Sequence, residues 1–354
     1  MSLYFDVTKS ASSKQLSGLL RVSGKLRQDL ASILGDKLVP VVWNSRKQRF
    51  RDSEKKDVID LLETDHFVTP EIFSSQDRPG YIEHLENAGV QSAAIFHDSI
   101  PLKYPDITWP KSVAGHPQYM KDLARFKHVF SVSKSSQDDL IDHWNRLGLS
   151  ERPTLSTLIL GADFFDRSAI SWAHSPQSPP LLLNVGIIEP RKNQSQLLDV
   201  ASRLWDAGLR FELHFVGRIN PHFGKPIEKK IKIARRAGHP VYLHSKQSDG
   251  LLYELYAKAR FTVFNSIAEG FGLPVVESLW LGIPCISQAL PSLTPLLSSP
   301  ACKFVGSVDA LEAALRNWIT DQNAIEEASA AAGQLNLSTW ADTATTLLDW
   351  TEQS

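Results

Sequence analysis

Apolar runs of strand length alternate with helical patterns along almost the whole chain. The runs in the first half are Leu3 to Val7, Leu38 to Trp43, Gln91 to Phe96, His128 to Val132 and Leu155 to Leu160. The runs in the second half are Leu181 to Val185, Phe211 to Val216, Val241 to Leu243, Phe261 to Phe264, Pro284 to Ser287 and Lys303 to Val305. This alternation predicts an α/β protein built from parallel sheets with covering helices.

Two features of the first half predict where helices begin. Apolar residues at steps of three and four give one helix a single apolar face, and these are Leu19, Val22, Leu26, Leu30 and Ile33. Gly18 lies at the start of that helix, where the backbone can approach a ligand closely. Ser133 is expected to cap a second helix, which follows the fourth apolar run.

A segment rich in proline and serine, Ser175 to Pro180, divides the alternation into two halves. It suits neither a helix nor a central strand, so we expect a first domain at residues 1–170, a linker at 171–180 and a second domain at 181–336. Each domain is predicted to be a doubly wound, Rossmann-like unit. Since such sheets bind ligands at the carboxyl ends of their strands, we expect the two domains to face each other across a cleft.

Composition is typical of a globular protein with two ordinary cores, since the 354 residues are 42% hydrophobic and 22% charged. The net charge of -1 gives no overall attraction to nucleic acid. Cys285 and Cys302 lack metal-ligand spacing, which argues against a disulfide framework and a zinc site and fits a reducing cytoplasm. Residues 1–15 lack the features of a secretion signal, and no stretch reaches the roughly 18 apolar residues of a membrane span. We therefore expect a cytoplasmic protein.

The segment Ser266 to Glu277 is the most informative part of the chain, because it places two carboxylates around a glycine turn that opens a helix. The backbone N–H groups of the turn suit an anion such as a diphosphate. They belong to Gly270, Phe271, Gly272 and Leu273. Glu269 in the turn and Glu277 one helical turn later are acceptors, and so suit sugar and ribose hydroxyls. The segment predicts a ligand that has a diphosphate with hydroxyls at both ends.

A strand-to-helix loop at Gly186 to Asn193 carries two adjacent cations, Arg191 and Lys192. If the sheet places this loop near Gly270, both side chains can bind the diphosphate and stabilise a departing nucleotide. A solvated basic loop is the alternative for an isolated pair of cations. The presence of the Glu269 segment favours the binding role.

Further candidate positions lie at other strand ends. Gly217 closes the second strand of the second domain, and His244 follows the third, where a nucleobase is one expected contact. In the first domain, His97 and Asp98 follow a buried strand; His97 is a hydrogen-bond donor for a hydroxyl, and Asp98 is a group to orient an acceptor or take its proton. A His-Asp pair that merely closes a turn is the alternative.

Several motifs of other enzyme classes do not occur. The chain has no Gly-x-Gly-x-x-Gly after a strand, no phosphate loop ending in Gly-Lys-Ser/Thr, and no His-Glu-x-x-His or Gly-x-Ser-x-Gly. Dehydrogenase, ATPase, metalloprotease and serine hydrolase functions therefore lack sequence support. A basic run from Arg46 to Lys56 can meet anionic lipid at a membrane surface, although interspersed acids favour a solvated face.

Together these segments resemble a known family, the retaining glycosyltransferases of family 4, which have the GT-B fold. The resemblance rests on Val185 to Asn193, on the spacing of Tyr253, Tyr256 and Ala259, and on Glu269 to Glu277, and spans most of residues 181–290. Within the family, the chain is most similar to bacterial mannosyl- and rhamnosyltransferases of surface polysaccharide synthesis. Residues 337–354, which begin Leu-Ser-Thr-Trp, resemble the helical segment that returns to the first domain in such enzymes.

The resemblance implies transfer of a hexose from a nucleotide diphosphate sugar, GDP-mannose being one example, to a glycan or lipid-linked acceptor. It also implies that the anomeric configuration is retained and that neither a cofactor nor a metal is required. Glu269 would contact the donor sugar, Glu277 the ribose, and Arg191 with Lys192 the diphosphate. His97 and Asp98 complete the expected catalytic set, while Gly18 and Ser133 are expected on the acceptor side.

The chain departs from the family pattern at two positions. Ile187 stands where many members have an arginine, and Asn265 stands where many have a proline. These departures leave open a nucleotide-sugar-binding subunit that has lost catalysis and works with a partner. A sugar-nucleotide epimerase with the same fold is the third alternative, with His97 and Asp98 as its acid and base.

Overall fold

The computed structural model describes residues 2–12, 18–167, 179–245 and 248–352. These residues form two compact units, one of residues 1–161 with 338–354 and one of residues 162–337. The predicted linker at 171–180 lies outside the described residues except at its last two positions. Each unit has its own sheet and its own buried core.

The first unit contains an eight-stranded sheet in the order β4-β3-β2-β1-β5-β6-β7-β8. Its strands are β1 Leu3–Asp6, β2 Leu38–Asn44, β3 Arg49–Asp52, β4 Val58–Ile59, β5 His66–Thr69, β6 Gln91–Phe96, β7 His128–Ser131 and β8 Thr154–Thr157. All pairs are parallel except those of β3 with β2 and with β4. The parallel strands change direction of winding between β1 and β5, which makes the carboxyl ends of these two strands the natural ligand position.

The helices of the first unit include the two that the sequence predicts. The unit contains α1 Gly18–Leu34, α2 Tyr81–Ala88, α3 Ile100–Lys103, α4 Pro110–Leu123 and α5 Lys134–Arg146, of which α1 and α5 are the predicted helices. Val22, Leu26 and Leu30 form the buried face of α1, as the spacing predicts, whereas Leu19 and Ile33 at its ends are exposed. The prediction that Ser133 caps a helix is confirmed, because its Oγ accepts a hydrogen bond from the N–H of Ser136 in α5 (3.1 Å).

The second unit contains a six-stranded parallel sheet in the order β11-β10-β9-β12-β13-β14. Its strands are β9 Leu181–Val185, β10 Glu212–Val216, β11 Val241–His244, β12 Ala259–Phe264, β13 Cys285–Gln288 and β14 Cys302–Val305. Its helices are α6 Gln194–Asp206, α7 Gly224–Arg236, α8 Asp249–Lys258, α9 Leu273–Trp280, α10 Val308–Thr320 and α11 Gln322–Gly333. This is the strand order 3-2-1-4-5-6 of a dinucleotide-binding sheet, whose switch point lies between β9 and β12.

The last helix, α12 Trp340–Glu352, belongs to the first unit although it follows the second along the chain. Trp340 is fully buried there, and its backbone passes so close to Gly161 that a Cβ on that glycine would lie 2.3 Å from the Trp340 nitrogen. Thr343 Oγ1 also donates to the carbonyl of Ile159 (2.9 Å). The predicted return of the C-terminal helix to the first domain is therefore confirmed.

Candidate functional site

The loops that follow β9 and β12 meet at the switch point of the second sheet. A short 3-10 helix, Pro190–Lys192, follows the first strand, and the second leads through Glu269 to α9. The N–H of Ile267 donates to the carbonyl of Arg191 (2.8 Å), so the backbone itself joins the two loops. The structure thus meets the condition on which the binding role of Arg191 and Lys192 depended.

Two cations surround the Glu269 carboxylate, one at each oxygen. Lys192 Nζ donates to Oε1 (2.5 Å), and Arg191 Nη1 lies 2.8 Å from Oε2. The side chains of Lys192 and Glu269 are only 9% and 11% exposed, so the ion pairs are shielded from water. The gap of 77 residues between these partners explains why spacing alone does not predict the contact.

The two cations keep Glu269 ionised despite its burial. Burial by itself raises the pKa of this carboxyl, but the charges of Arg191 and Lys192 outweigh that effect and hold the pKa at about 2. Burial also lowers the pKa of Lys192, and the Glu269 charge opposes this shift. Lys192 Nζ lies 5.0 Å above the Phe264 ring, which adds a cation–π contact. Near neutral pH, Glu269 is therefore a hydrogen-bond acceptor and not a proton donor.

Sequence reasoning missed two members of this cluster, Glu189 and Asn220. Glu189 Oε1 accepts a hydrogen bond from Arg191 Nε (3.0 Å), and its Oε2 accepts one from Asn220 Nδ2 (2.9 Å). Both residues are buried, at 9% and 7% exposure. Glu189 stands two positions before Arg191, and an acid this close to two cations is the sequence signal that could have indicated it.

Two predicted glycines bring the strand ends together. A Cβ on Gly217, after β10, would lie 1.9 Å from the carbonyl oxygen of Gly186, after β9. Lys192 packs against Gly186, where its Cε would lie 3.2 Å from an added Cβ. The absence of side chains at these two glycines thus allows both loops to pass beside the ion pairs.

Glu277 lies one turn inside α9, as predicted, but it is buried rather than presented at the surface. It is 1% exposed, and its Oε2 accepts a hydrogen bond from Tyr256 Oη (3.3 Å). The turn before α9 ends at Gly272, whose φ of 104° is one that side chains rarely adopt. The ribose contact of Glu277 and the anion contact of residues 270–273 stay predictions.

His244 ends β11, which lies two strands away from β9 in the sheet. Its Nε2 lies 3.0 Å from His214 Nδ1, and His214 Nε2 lies 3.1 Å from Glu212 Oε2. Burial lowers the pKa of both histidines, so both imidazole rings are expected to be neutral near pH 7. The base contact at His244 stays a prediction, and Lys246 beside it is outside the described residues.

In the first unit, the side chains of His97 and Asp98 both form hydrogen bonds with backbone groups. His97 Nε2 lies 2.8 Å from the carbonyl of Pro70, and burial lowers the pKa of this buried ring, so the neutral ring carries its proton on Nε2. A donation from Nε2 to a hydroxyl would therefore require His97 to release Pro70. Asp98 Oδ1 accepts the N–H of Ile100 at the start of α3 (3.0 Å). The Asp98 contact closes a turn at the start of α3, whereas His97 bonds a residue 27 positions away. The pairing of His97 with Asp98 and the catalytic roles of both residues stay predictions.

The other two acceptor-side candidates also have a place in the first unit. Gly18 is the first residue of α1, and a Cβ there would meet no atom of the described residues within 4 Å. The Ser133 hydroxyl caps α5 and lies 3.0 Å from Ser136 Oγ. Neither residue belongs to the cluster around Glu269, because that cluster is built entirely from the second unit.

A cavity of about 390 Å³ lies at the switch point of the first sheet, where no sequence motif indicated one. Its walls come from the ends of β1 and β5 and from the first turns of α1. Polar residues that line it include Lys9, Ser12, Ser23 and Glu71, and apolar ones include Leu19, Leu20, Pro70 and Ile72. Glu71 accepts the N–H groups of Lys9 and Ser10, which fixes the loop after β1 against the end of β5.

The basic run Arg46–Lys56 is not a continuous cationic face. It spans the turn after β2, all of β3 and the next turn, with Phe50 fully buried between its charged neighbours. Asp52 accepts the N–H groups of Glu54 and Lys55 (2.7 and 2.8 Å). Among the described residues, no helix is long and apolar enough to cross a membrane, and no group of three acidic, histidine or cysteine ligands could hold a metal ion.

The second unit matches a known protein family. Residues 166–334 match the model for glycosyl transferases group 1. Over 312 residues the chain is 27% identical to the serotype-specific mannosyltransferase WbdA of Escherichia coli, an alignment that covers 83% of this chain and 37% of the relative. It is 26% identical to the O-antigen chain mannosyltransferase B of Escherichia coli, which covers 76% of this chain and 74% of the relative.

A solved structure similar over the whole chain is that of Anabaena Alr3699/HepE in complex with UDP and glucose. It has a TM-score of 0.70 and 14% identity, and the match covers 100% of both chains. This likeness shows the fold, which is GT-B, as the sequence predicts. The chain spans little more than a third of the length of WbdA, the first of its curated relatives. Residues 166–334 are a domain of the glycosyl transferases group 1 family, homologous to O-antigen mannosyltransferases.

Proposed function

We propose that the chain is a retaining glycosyltransferase of family 4 that moves a hexose from a nucleotide diphosphate sugar to a glycan or lipid-linked acceptor. The observation that carries the proposal is the buried cluster of Arg191, Lys192 and Glu269 at the switch point between β9 and β12. Two cations at a strand-to-helix loop suit a diphosphate, and the adjacent ionised carboxylate suits sugar hydroxyls. A site of this kind has both partners that a nucleotide sugar requires.

Each residue of the cluster has a distinct role in the proposed reaction. Arg191 and Lys192 would stabilise the charge that develops on the departing diphosphate, which requires Glu269 to yield part of its ion pairs to the donor. Glu269, with its pKa held at about 2, stays ionised and would accept hydrogen bonds from the transferred sugar. Attack from the face of the departing group, with a phosphate oxygen taking the acceptor proton, would retain the anomeric configuration. The reaction then requires neither an enzymic nucleophile nor a metal.

The mannosyltransferase relatives support a mannose donor such as GDP-mannose and an acceptor of O-antigen type in lipopolysaccharide synthesis. On the acceptor side, the cavity beside Lys9 and Glu71 supports binding of the acceptor next to Gly18. A cytoplasmic enzyme that contacts the inner membrane surface through Arg46 to Lys56 would meet a lipid-linked acceptor there. These assignments concern the whole protein, and of the two relatives WbdA is much longer than this chain.

The proposal is tested with purified protein, an acceptor extract in EDTA and a panel of GDP-, UDP-, dTDP- and ADP-sugars. We expect nucleotide diphosphate release with one donor and a product whose anomeric configuration, determined by NMR, matches that of the donor. Lys192→Ala should lower turnover about a hundredfold, the usual effect of removing one group that stabilises transition-state charge. Lys230→Gln is the matched control, because Lys230 is a partly exposed cation that pairs with Asp199 on the surface of the same unit.

Three outcomes would count against this function. Donor binding without transfer, with activity restored by a second protein, would identify a catalytically inactive partner subunit. Release of an epimerised donor in the absence of acceptor would identify an epimerase. Inversion of the anomeric configuration, or dependence on a divalent metal, would contradict the proposed mechanism while leaving the transferase class intact.

A further inference from the structure

The charged cluster at the switch point contains one carboxylate that the proposed reaction leaves without a task. Glu189 is buried, and both its oxygens are engaged, Oε1 by Arg191 and Oε2 by Asn220. Resting on the proposed function, we infer that Glu189 is a positioning residue that aims Arg191 at the donor diphosphate, and that Asn220 holds Glu189 in place. Glu189 itself need not touch the substrate.

The contacts divide the Arg191 guanidinium into two edges. Nε and Nη2 both lie 3.0 Å from Glu189 Oε1, whereas Nη1 faces Glu269 at 2.8 Å and the carbonyl of Ala268 at 2.9 Å. A guanidinium held along one edge has its plane fixed, so its other edge points in a set direction. Glu189 therefore orients the Nη1 edge toward the position where Glu269 lies and where the diphosphate is proposed to bind.

Asn220 connects this carboxylate to the fold. Its Nδ2 donates to Glu189 Oε2 (2.9 Å), while its Oδ1 accepts the N–H groups of His222 and Phe223 (2.9 and 3.2 Å) just before α7. Its own N–H donates to the carbonyl of Ile188 (3.0 Å). Asn220 is thus anchored on both sides, and its amide can present only N–H groups to Glu189.

The negative charge of Glu189 should also affect how tightly the cluster binds a diphosphate. The cluster holds two cations, Arg191 and Lys192, and two carboxylates, Glu189 and Glu269, and its formal charge is therefore zero. In the proposed reaction Glu269 turns to the sugar, but Glu189 stays bound to Asn220 and keeps its negative charge beside the diphosphate. Glu189 should then weaken binding of a diphosphate while improving its alignment, an exchange that favours release of the nucleotide product.

The test separates these two effects with Glu189→Gln, which keeps the shape of the side chain and removes its charge. Inorganic pyrophosphate serves as the probe in calorimetry, and turnover is measured as nucleotide diphosphate release. We expect Glu189→Gln to bind pyrophosphate about five- to twentyfold more tightly, because a nearby like charge is removed, and to lose about tenfold or more in turnover. If Glu189 had a purely structural role, its substitution would lower both the affinity for pyrophosphate and the turnover.

Three further variants keep the result interpretable. Glu312→Gln is the matched control, because Glu312 accepts a hydrogen bond from Arg203 Nε at 2.8 Å outside the cluster, and it should change neither quantity. Asn220→Asp keeps the acceptor that caps the start of α7 but places an oxygen against Glu189 Oε2, so turnover should fall. The double variant Glu189→Gln with Asn220→Asp restores a donor-acceptor pair, and its turnover should exceed that of either single variant.

The outcomes distinguish this inference from the proposed function. If the wild-type protein binds no pyrophosphate and turns over no sugar nucleotide, the proposed function fails and the role of Glu189 fails with it. If the wild-type protein does both, but Glu189→Gln leaves pyrophosphate affinity unchanged or weakens it, only the inference about Glu189 is overturned. A double variant no better than the single ones would overturn the role of Asn220.

Discussion

At the scale of single residues, the meaning of each charged group depends on its partners. The sequence predicts Glu269 as a carboxylate for sugar hydroxyls, and the structure shows that two cations also hold it in place. Those cations keep its pKa at about 2, although burial alone would raise it. Removing any one charge therefore leaves another buried charge to be compensated, and the cost depends on which partner is left behind.

This difference predicts unequal losses in the free energy of unfolding for Glu269→Gln and Lys192→Met. Glu269→Gln removes the carboxylate from two cations at once and should lower the free energy of unfolding by about 2 to 4 kcal/mol. Lys192→Met leaves Glu269 with Arg191 and adds an apolar chain beside Phe264, so it should cost about 1 kcal/mol or less. Urea unfolding at pH 7 gives both values, and equal costs would contradict the asymmetry.

The pH dependence of the stability of Glu269→Gln supplies the control. Because the folded pKa of Glu269 lies below its usual value of 4.5, its contribution is fully present above that pH and is lost as the pH falls toward about 2. The stability gap between the wild-type protein and Glu269→Gln should therefore narrow across this range. A gap that stays constant to pH 2.5 would show that the carboxylate charge is not its source.

At the scale of elements, the predicted strands of the second unit all occur, with boundaries shifted by two residues or fewer. Those strands were predictable because their apolar runs are long and punctuated by turn residues. In the first unit, the pattern missed β3, β4 and β5. The strand β3 has four residues, of which only Phe50 is apolar, and β5 is a run of four residues before a proline. Neither strand is an apolar run of the length on which the pattern depends.

The close approach of Gly217 to Gly186 at two strand ends predicts that a side chain at position 217 destabilises the second unit. Gly217→Ala should cost about 3 kcal/mol or more, because its Cβ would lie 1.9 Å from the Gly186 carbonyl oxygen, a backbone atom that cannot rotate away. Gly208→Ala is the matched control, since Gly208 also has a positive φ but nothing lies within 4 Å of its added Cβ, so it should cost only about 1 to 2 kcal/mol. Chemical denaturation of both variants gives the comparison, and equal costs would show that the close approach of the two loops is not essential.

At the scale of the whole molecule, the chain leaves the first unit after residue 161 and returns to it at residue 338. The returning helix α12 packs on α1 and buries Trp340, Leu347 and Trp350. The Trp350 ring lies 5.2 Å from His66 and 5.9 Å from His128, and it helps to cover these buried imidazoles. The returning helix thus contributes to the burial that lowers the pKa of both histidines.

The buried imidazole of His128 predicts acid sensitivity of the first unit. Burial lowers the pKa of His128 from 6.5 to about 4, so the unfolded chain takes up a proton at a higher pH than the folded chain does. The stability contribution is present above pH 6.5 and falls as the pH drops to about 4, by at most about 3 kcal/mol. His128→Gln should flatten this part of the stability profile, measured by urea unfolding at several pH values between 7 and 4.

His239→Gln is the control for this experiment, because His239 lies in the second unit. It should leave the acid sensitivity of the first unit unchanged. Trp350→Ala should lower stability by about 3 to 5 kcal/mol and also make His128 easier to protonate, since it opens the cover over that ring. If the free energy of unfolding of His128→Gln falls with pH as steeply as that of the wild-type protein, the acid sensitivity belongs to other groups.

The sequence by itself determined the class of fold, the order of most elements and the two segments that hold the charged cluster. It did so because apolar periodicity, glycine turns and strand-to-helix loops are local properties, which depend on neighbours along the chain. The tertiary structure alone decided that Lys192 and Arg191 pair with Glu269 across 77 residues or more, that Glu189 and Asn220 support them, and that His97 and Ser133 use their polar atoms within the fold. Hydrogen bonds and ion pairs depend on distance and direction in space, and those are set only when strands far apart in sequence become neighbours in one sheet.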